Sequence, residues 1–235
     1  MIRRFYKDVT LAAQPAGGFQ VMLDARGVKT VGGKPQIVPA QALGEAMAAE
    51  WRAQGEKIDP ASLPLRDMAD YAIDIVSADP AAIARALVAY ADTDTLCYRA
   101  DPDEELYQRQ QTEWEPLLAR VEAAQGITLT RISGIVHRPQ PPEALAALEA
   151  RLLALPPFVL TGVEAMAKLA ASLVTALAAL DARHEDEARM LWQAACLEEE
   201  WQADLWGRDW EAEERRARRE ADFLRAAAFA QVSQA

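Results

Sequence analysis

The first part of the chain alternates between short apolar stretches and turn residues. Up to Pro39, glycines and prolines separate runs of only a few residues, which is typical of short antiparallel strands joined by turns. In GFQVMLD, the side chains of Phe19, Val21 and Leu23 fall on one face, as a half-buried strand requires. The letters DARG overlap the end of this stretch and predict a hairpin connection.

Beyond Pro39 the apolar positions recur at helical spacing, first at Leu43, Met47 and Trp51, and most of the remaining chain follows this pattern. The predicted fold class is α+β. We expect a small β-rich antiparallel N-terminal domain over residues 1–75 and a larger all-helical C-terminal domain over residues 76–235.

Several residues mark expected helix ends in the second part. Asp101 precedes a proline and is expected to cap a helix that starts at that proline. Thr161 with Glu164 three residues later has the pattern of a capping box. Gly207 interrupts the helical block of residues 185–230, so a helix is expected to end, kink or continue there.

The charge balance narrows the classes of partner. A formal net charge of -11 disfavours nucleic acid and anionic membrane, because both bind mainly through basic groups. The most apolar segment, residues 158–180, contains Glu164 and Lys168 and is rich in alanine, so we expect a buried helix and no membrane insertion. The start of the chain lacks the apolar run of a signal peptide, and we expect a cytoplasmic protein. Cys97 and Cys196 are expected to be buried small residues in a reducing compartment.

Sequence motifs for cofactor binding are missing. The stretch GVKTVGGKPQ resembles a phosphate-binding loop, but it has the wrong register and carries Pro35 where a hydroxyl residue is needed. No glycine-rich dinucleotide fingerprint follows a strand. We therefore expect no cofactor.

Two histidines and a pair of aspartates are the remaining candidates for chemistry. Asp92 and Asp94 resemble a phosphoryl-transfer motif, but the preceding residues have helical rather than strand spacing. Backbone hydrogen bonding at a helix junction is the alternative role for these acids. Only Asp181 lies at metal-ligand spacing from His184, so no metal site is predicted. No nearby serine or cysteine has the sequence surroundings of a nucleophile that His137 could activate, so no catalytic residue is predicted.

The stretch LEEEWQADLWG, residues 197–207, sets three glutamates between apolar residues on a predicted helix. In one interpretation this is an amphipathic core helix whose glutamates fan toward solvent. A paired-carboxylate active site is a second, although adjacent helical carboxylates diverge. The third is a protein-binding face, in which tryptophans provide contact area and acids set charge preference. Because an unpaired buried carboxylate is costly, at least one acid should have a partner or an open surface.

Several ordered sequence blocks resemble one family. RFYKDV, GGFQVMLD, AAEWRAQGEKIDP, ADTDTLCYRA, WEPLL and LEEEWQADLWG occur in this order and resemble the ATP synthase F₁ assembly chaperones of the ATP-twelve type, also called the ATP synthase assembly factor two family. The resemblance extends from about Arg3 to Phe229. It implies a non-enzymatic chaperone that binds the free F₁ α subunit before assembly with β and that needs no nucleotide.

The resemblance also implies which residues bind the partner. The family pattern carries over to Glu198, Glu200, Gln202 and Trp206, and Trp201 stands where family members often have a smaller aromatic residue. We expect these five residues to contact the α subunit and the protein to be a bacterial monomer. The competing hypothesis is a metal-dependent hydrolase that uses the acids of the aspartate pair and of this stretch.

Overall fold

The computed structural model describes residues 2–234 and has the α+β fold class that the sequence predicts. The strands are β1 (Val9–Ala13), β2 (Phe19–Leu23), β3 (Arg26–Gly27), β4 (Ile37–Val38), β5 (Tyr98–Arg99) and β6 (Ile132–Ser133). The α-helices are α1 (Gln41–Arg52), α2 (Pro64–Tyr71), α3 (Pro80–Asp92), α4 (Glu105–Gln125), α5 (Pro142–Leu153), α6 (Pro157–Ala170), α7 (Leu173–Leu180), α8 (Glu185–Ala195), α9 (Leu197–Trp206) and α10 (Trp210–Val232). A single turn of π-helix, Ala72–Val76, continues directly from α2.

The chain forms two compact units. The first holds the described residues up to Pro80, together with Pro156–Gly162 and the residues from Phe229 onward. The second holds Ala81–Leu155 and Val163–Ala228. It contains β5 and β6, which pair in parallel, so the expectation of an all-helical C-terminal domain is wrong. The chain therefore returns twice to the first unit. The single boundary expected between residues 75 and 76 does not divide the chain in this way.

The sheet of the first unit is built around β2. Strand β1 pairs with it antiparallel over its whole length, and β3 and β4 pair with it antiparallel at separate positions. Leu23 pairs with Arg26, which confirms the predicted hairpin. Asp24 takes a φ of 52° in this turn, and its carboxylate accepts the backbone N–H groups of Lys7 and Asp8, which fixes the start of the chain beside the turn.

The core of the first unit lies between this sheet and α1. Val21 and Leu23 are buried there, and Phe19 packs against them from a partly buried position, which confirms the predicted face of the strand. The apolar stripe of α1 faces the same core, with Met47 fully buried. Phe229, near the end of α10, completes the cluster and stacks on Phe158 with ring centroids 5.9 Å apart.

Aromatic side chains organise the core of the second unit. Trp114 of α4 is fully buried, and its indole N–H donates to the carbonyl of Ala194 at 2.7 Å. The guanidinium of Arg99 lies 5.1 Å from the Trp114 ring centre, close enough for a cation–π contact. Trp192 packs against Phe223 with ring centroids 5.2 Å apart. These contacts join α4, α8 and α10.

The apolar segment that follows Pro156 forms two helices rather than one. Helix α6 begins at Pro157, so Thr161 lies inside it and donates to the Pro157 carbonyl; the predicted capping box is therefore wrong. Ala171 takes a φ of 48° and ends α6, and the side chain of Ser172 caps α7. All eight residues of α7 are buried.

The predicted helix start at Asp101 is also wrong. A turn follows Pro102, with the N–H of Glu104 bonded to the carbonyl of Asp101 at 2.9 Å. Glu104 then has extended backbone angles, and α4 begins only at Glu105. Because an extended residue cannot continue a helix, the turn and the helix are separate elements.

Within residues 2–234, no helix is both long enough and apolar enough to cross a membrane. The segment around α6 and α7 is divided by the break at Ala171, and its longest helix contains Glu164 and Lys168 as an ion pair at 2.6 Å.

Candidate functional site

The stretch LEEEWQADLWG occupies its own short helix. Helix α8 ends at Ala195, and Cys196 forms a turn before α9 begins at Leu197, so the predicted block has a break at Cys196 as well as at Gly207. At Gly207 the backbone takes φ 96° and ψ 149°, a region that only glycine enters readily. The carboxylate of Asp209 then accepts the N–H groups of Glu211 and Ala212 and starts α10.

Glu198 points toward the interior of the second unit. Its carboxylate accepts a hydrogen bond of 2.7 Å from the side-chain amide of Gln110, which is fully buried. Two hydrogen bonds hold Gln110 in place. The guanidinium of Arg99 donates to the main-chain carbonyl of Gln110, and the backbone N–H of Ala100 donates to its side-chain oxygen. Burial raises the pKa of the Glu198 carboxyl, and the bond from Gln110 only partly offsets that rise. Glu198 therefore belongs to an interior hydrogen-bond network and does not fan toward solvent.

Glu199 and Glu200 are held by arginines of the following segment. Arg219 donates to both oxygens of Glu199, at 2.9 and 3.0 Å. Glu200 lies 2.9 Å from Arg208 and 2.8 Å from Arg216. The expectation that at least one acid has a partner is met, whereas the interpretation in which all three glutamates fan toward solvent is wrong.

Apolar side chains at the end of α9 and the start of α10 are exposed. Trp206 is 79% exposed, Trp210 is 71% exposed and Leu205 is 62% exposed. Large apolar side chains that stay in contact with water after folding indicate an interaction surface, because binding a partner would remove them from water. We call residues 197–210 the α9–α10 corner. Of the predicted residues, Gln202 is also exposed, and Trp201 is half-buried.

The sequence argument identified Trp206 but missed Leu205 and Trp210. A usable signal was present, because Trp206 and Trp210 flank a glycine turn and precede a strongly charged helix with no other aromatic residue before Phe223. The sequence left open whether the helix ends, kinks or continues at Gly207, so it gave no relative position for Trp206 and Trp210. In the structure the helix ends there.

A polar hollow opens beside Glu200. Its volume is about 360 Å³, and its walls include the carboxylates of Glu113, Glu200 and Glu220 together with Arg109 and Arg216. The acids outnumber the arginines in this lining. The hollow can therefore accept a basic side chain, provided that the side chain competes with the arginines already present.

The aspartate pair has a structural role. Asp94 is fully buried and accepts the N–H groups of Leu96 and Val174, at 3.1 and 2.9 Å, so it caps both a 3₁₀ turn and α7. Burial raises its pKa to about 6. Asp92 accepts the N–H of Gln140 at 2.8 Å. The alternative role, backbone hydrogen bonding at a helix junction, is confirmed.

The other candidates for chemistry also have structural partners. The ring of His184 caps α8 by accepting the N–H of Glu187, and the ring of His137 contacts the hydroxyl of Tyr98 at 3.1 Å. In the part of the chain that the structure describes, no three or more His, Cys, Asp or Glu side chains are arranged so that they could hold a metal ion. Both cysteines are buried, as predicted, and burial raises the pKa of each thiol to about 12.

The glycine loop that resembles a phosphate-binding motif is closed by carboxylates. The N–H of Gly32 donates to Asp74 at 2.8 Å, and the hydroxyl of Thr30 donates to the same carboxylate at 3.0 Å. The N–H of Val31 donates to Asp70 at 3.3 Å. A phosphate would have to displace these acids, which agrees with the sequence-based exclusion of a nucleotide site.

Comparisons with known proteins identify the family. Residues 3–122 match the family described as ATP12 chaperone protein. The structure matches that of Atp12 from Paracoccus denitrificans with a TM-score of 0.90 and 36% sequence identity, over 99% of this chain and 98% of that chain. The chain belongs to the ATP12 chaperone family. This finding confirms the resemblance seen in the ordered sequence blocks.

Two further structures support the same relationship. A mutant of Atp12p from P. denitrificans matches with a TM-score of 0.90 and 36% identity, over 99% of this chain and 98% of that chain. The Atu1473 protein from Agrobacterium tumefaciens, described as a candidate chaperone, matches with a TM-score of 0.89 and 36% identity, over 99% of this chain and 85% of that chain. The α9–α10 corner lies outside the residues of the ATP12 family match but within the span of the structural matches.

Proposed function

We propose that this ATP12-family chaperone binds the free α subunit of the F₁ head of ATP synthase and prevents its aggregation before it assembles with the β subunit. Family membership supports a chaperone role, and the ordered sequence blocks support a role in F₁ assembly. The observation that carries the proposal is the exposure of Trp206 and Trp210 at a corner whose backbone is fixed by ion pairs. Such a surface is already ordered before the client arrives, which lowers the entropic cost of binding.

The α9–α10 corner is the proposed client surface. Trp206 and Gln202 are exposed and would contact the client directly, together with Trp210. Trp201 is half-buried and would contribute one edge of its ring while it supports the helix. Tryptophans are enriched among the residues that contribute most to binding energy, so the exposed pair is expected to dominate the affinity.

The glutamates would set the charge preference of this surface. The Glu200 side chain is 29% exposed and lines the polar hollow, so a basic group of the client can reach it by displacing Arg208. Such an exchange replaces one ion pair with another and favours selectivity over raw affinity. Glu198 lies deeper, and we propose that it acts by holding α9 in position through Gln110.

Release of the client limits how tightly the corner can bind. An unassembled subunit exposes the surface that will later contact its neighbours, and covering an area of about 1,600 Å² is typical of a specific protein complex. A chaperone that bound this surface too tightly would block assembly. We therefore expect moderate affinity for the client. We also propose that the chaperone is a monomer and acts in the bacterial cytoplasm.

Co-expression with the α subunit from the same organism tests the proposal. The tagged chaperone should capture soluble α in a pull-down and should not capture β, which serves as the control. Capture of neither subunit at low and moderate salt would contradict the assignment. A parallel thermal melt with Mg²⁺ or Mn²⁺ should show no stabilisation, whereas the hydrolase hypothesis predicts that metal raises the melting temperature.

A further inference from the structure

A second surface with features of a binding site lies on the first unit, around Phe5. One hollow of about 290 Å³ is lined by Phe5 and by the apolar side chains of Leu23, Val28 and Trp51. Another, of about 380 Å³, shares Phe5, Leu23 and Arg26 with the first. We call Phe5 and these two hollows the Phe5 surface. None of its residues belongs to the α9–α10 corner.

The Phe5 side chain is an apolar group left in water. It is 59% exposed, although its ring meets the Tyr6 ring edge-on with centroids 5.4 Å apart. Leu23, Val28 and Trp51 are buried beneath the hollows. An exposed aromatic ring above an apolar floor gives an incoming side chain contacts on two sides, which is the geometry of an interaction anchor.

Basic groups border this apolar surface, in contrast to the acidic chain as a whole. In the described part of the chain, neither Arg26 nor Lys29 lies within ion-pair distance of a carboxylate, and both side chains are exposed. Arg66 also borders the first hollow, but its charge is matched by Asp67 at 3.1 Å and Asp70 at 3.6 Å.

One acid also lines the surface, but its carboxylate is already engaged. Asp24 borders the second hollow, and one of its oxygens accepts the backbone N–H groups of Lys7 and Asp8. Asp24 keeps its negative charge, because the N–H groups that it accepts are neutral, and Arg26 lies near enough to interact with it electrostatically. The two cations Arg26 and Lys29 outnumber this single carboxylate, so together the three side chains leave the surface with a net positive charge. On a chain with a net charge of -11, this local positive charge selects for an acidic partner.

We propose that the Phe5 surface binds a short acidic segment of another polypeptide, with one of its apolar side chains in a hollow beside Phe5 and its carboxylates on Arg26 and Lys29. The hollow volumes are near the lower end of the range for small-molecule pockets, about 300–1,000 Å³, so each hollow suits a single side chain better than a cofactor. The inference does not depend on the identity of the client at the corner, because it concerns different residues and the opposite charge.

Peptide binding to the purified full chain tests this inference. The probe is a short fluorescein-labelled peptide with a central Leu-Phe pair flanked by aspartates, and a second peptide has lysines in place of the aspartates. Fluorescence anisotropy should show that the aspartate peptide binds at least about tenfold more tightly than the lysine peptide, a difference of about 1.4 kcal/mol. Equal binding of the two peptides, or no binding of either, would overturn the proposal.

Charge-matched variants locate the site. Arg26→Glu with Lys29→Glu should weaken binding of the aspartate peptide at least tenfold, and so should Phe5→Ser, which removes an exposed ring. Arg85→Glu with Arg138→Glu changes the net charge by the same amount at two exposed residues of the second unit and should leave binding unchanged. Equal losses in the two double variants would indicate a general charge effect and contradict a site at Phe5.

The fold and the oligomeric state of these proteins need separate controls. Circular dichroism and thermal melting should show that the Phe5 and charge variants keep the fold, as expected for exposed side chains. Light scattering after size exclusion should show a monomer at all concentrations tested. A concentration-dependent dimer that Arg26→Glu with Lys29→Glu abolishes would mean that a second copy of the chain occupies the surface, and the proposal would then be wrong.

Discussion

The guanidinium of Arg216 lies 2.8 Å from the carboxylate of Glu200, and this ion pair connects α10 to α9 across the turn at Gly207. The Arg216 side chain is only 14% exposed, and it also lies 2.8 Å from Glu213. An arginine shared between two carboxylates and shielded from water is better placed to stabilise structure than a typical surface pair. The proposed client surface therefore depends on a rigid base.

Removing this arginine should loosen the corner. We expect Arg216→Ala to lower the free energy of unfolding by about 1–3 kcal/mol, because Glu200 loses a partly buried partner. Arg218→Ala is the matched control, since Arg218 pairs with Glu214 but is 68% exposed, and its cost should stay below about 0.5 kcal/mol. Chemical denaturation measures both values. Equal costs would show that the Arg216 contacts do not act as a clamp.

The backbone conformation of Gly207 should stabilise the α9–α10 corner as much as the ion pairs do. A side chain at φ 96° and ψ 149° is strained, so Gly207→Ala should cost about 1–3 kcal/mol and increase hydrogen exchange across residues 197–210. Gly55 is the control, because its φ is not positive and a methyl group there would meet no atom within 4 Å. Gly55→Ala should be neutral or slightly stabilising. If both substitutions behaved alike, the turn at Gly207 would not require glycine.

The protein should be less stable with a carboxylate at position 198 than with an amide there. Because burial raises its pKa, the folded state favours the neutral form, and its charge lowers stability above that pKa. Glu198→Gln keeps an oxygen that can accept the bond from Gln110 and should add up to about 1 kcal/mol of stability at pH 7. Glu198→Ala leaves the Gln110 amide without its acceptor and should cost about 1–3 kcal/mol. Thermal melts at pH 7 compare the two variants, and a loss of stability in Glu198→Gln would contradict this reasoning.

Asp94 should make stability depend on pH in a defined window. Its pKa rises from 3.8 to about 6 on folding, so the folded state holds a proton that the unfolded state loses as pH increases between these values. Stability therefore falls with rising pH, by about 1.4 kcal/mol for each pKa unit or about 3 kcal/mol in total. Asp94→Asn removes the titrating group. The free energy of unfolding of the wild type minus that of the variant should fall by most of this amount between pH 4 and pH 7, because part of the change occurs below pH 4. A flat difference would contradict the assignment.

Local signals in the sequence predicted much of the fold. The face of β2 and the hairpin after Leu23 each depend on residues close together in the chain, and the structure contains both. The sequence left open whether the helix ends, kinks or continues at Gly207, and the structure shows that α9 ends there. Helical geometry brings positions four apart into contact, and the structure pairs Glu211 with Arg215 and Glu214 with Arg218 at this spacing.

The candidate site depended on contacts that no local pattern contains. Gln110 precedes Glu198 by 88 positions, and Arg219 follows Glu199 by 20 positions, so helical spacing gave no reason to pair them. The basic stretch of α10 has no local pattern that separates its arginines, yet Arg218 is exposed and Arg216 is largely buried against Glu200. Tertiary packing decided which charges were exposed.

The predicted capping box at Thr161 was wrong because the helix begins before this residue. Thr161 has the sequence pattern of a helix cap, but Pro157 begins α6 four residues earlier and places Thr161 inside it. The break at Ala171 was not predicted, because alanine favours helices and seldom takes a positive φ. The buried carboxylate of Asp94 and the cap at Ser172 stabilise the start of the next helix.

The central claim is that the exposed tryptophans of the α9–α10 corner bind the α subunit. The most direct measurement is the affinity of purified α for the variant Trp206→Ala with Trp210→Ala. The control, Ile135→Ala with Val136→Ala, removes exposed apolar side chains elsewhere in the second unit. We expect the tryptophan variant to bind at least about 30-fold more weakly, equivalent to about 2 kcal/mol, while the control binds like the wild type. Equal affinities of the wild type and the tryptophan variant, with both proteins folded, would contradict the account.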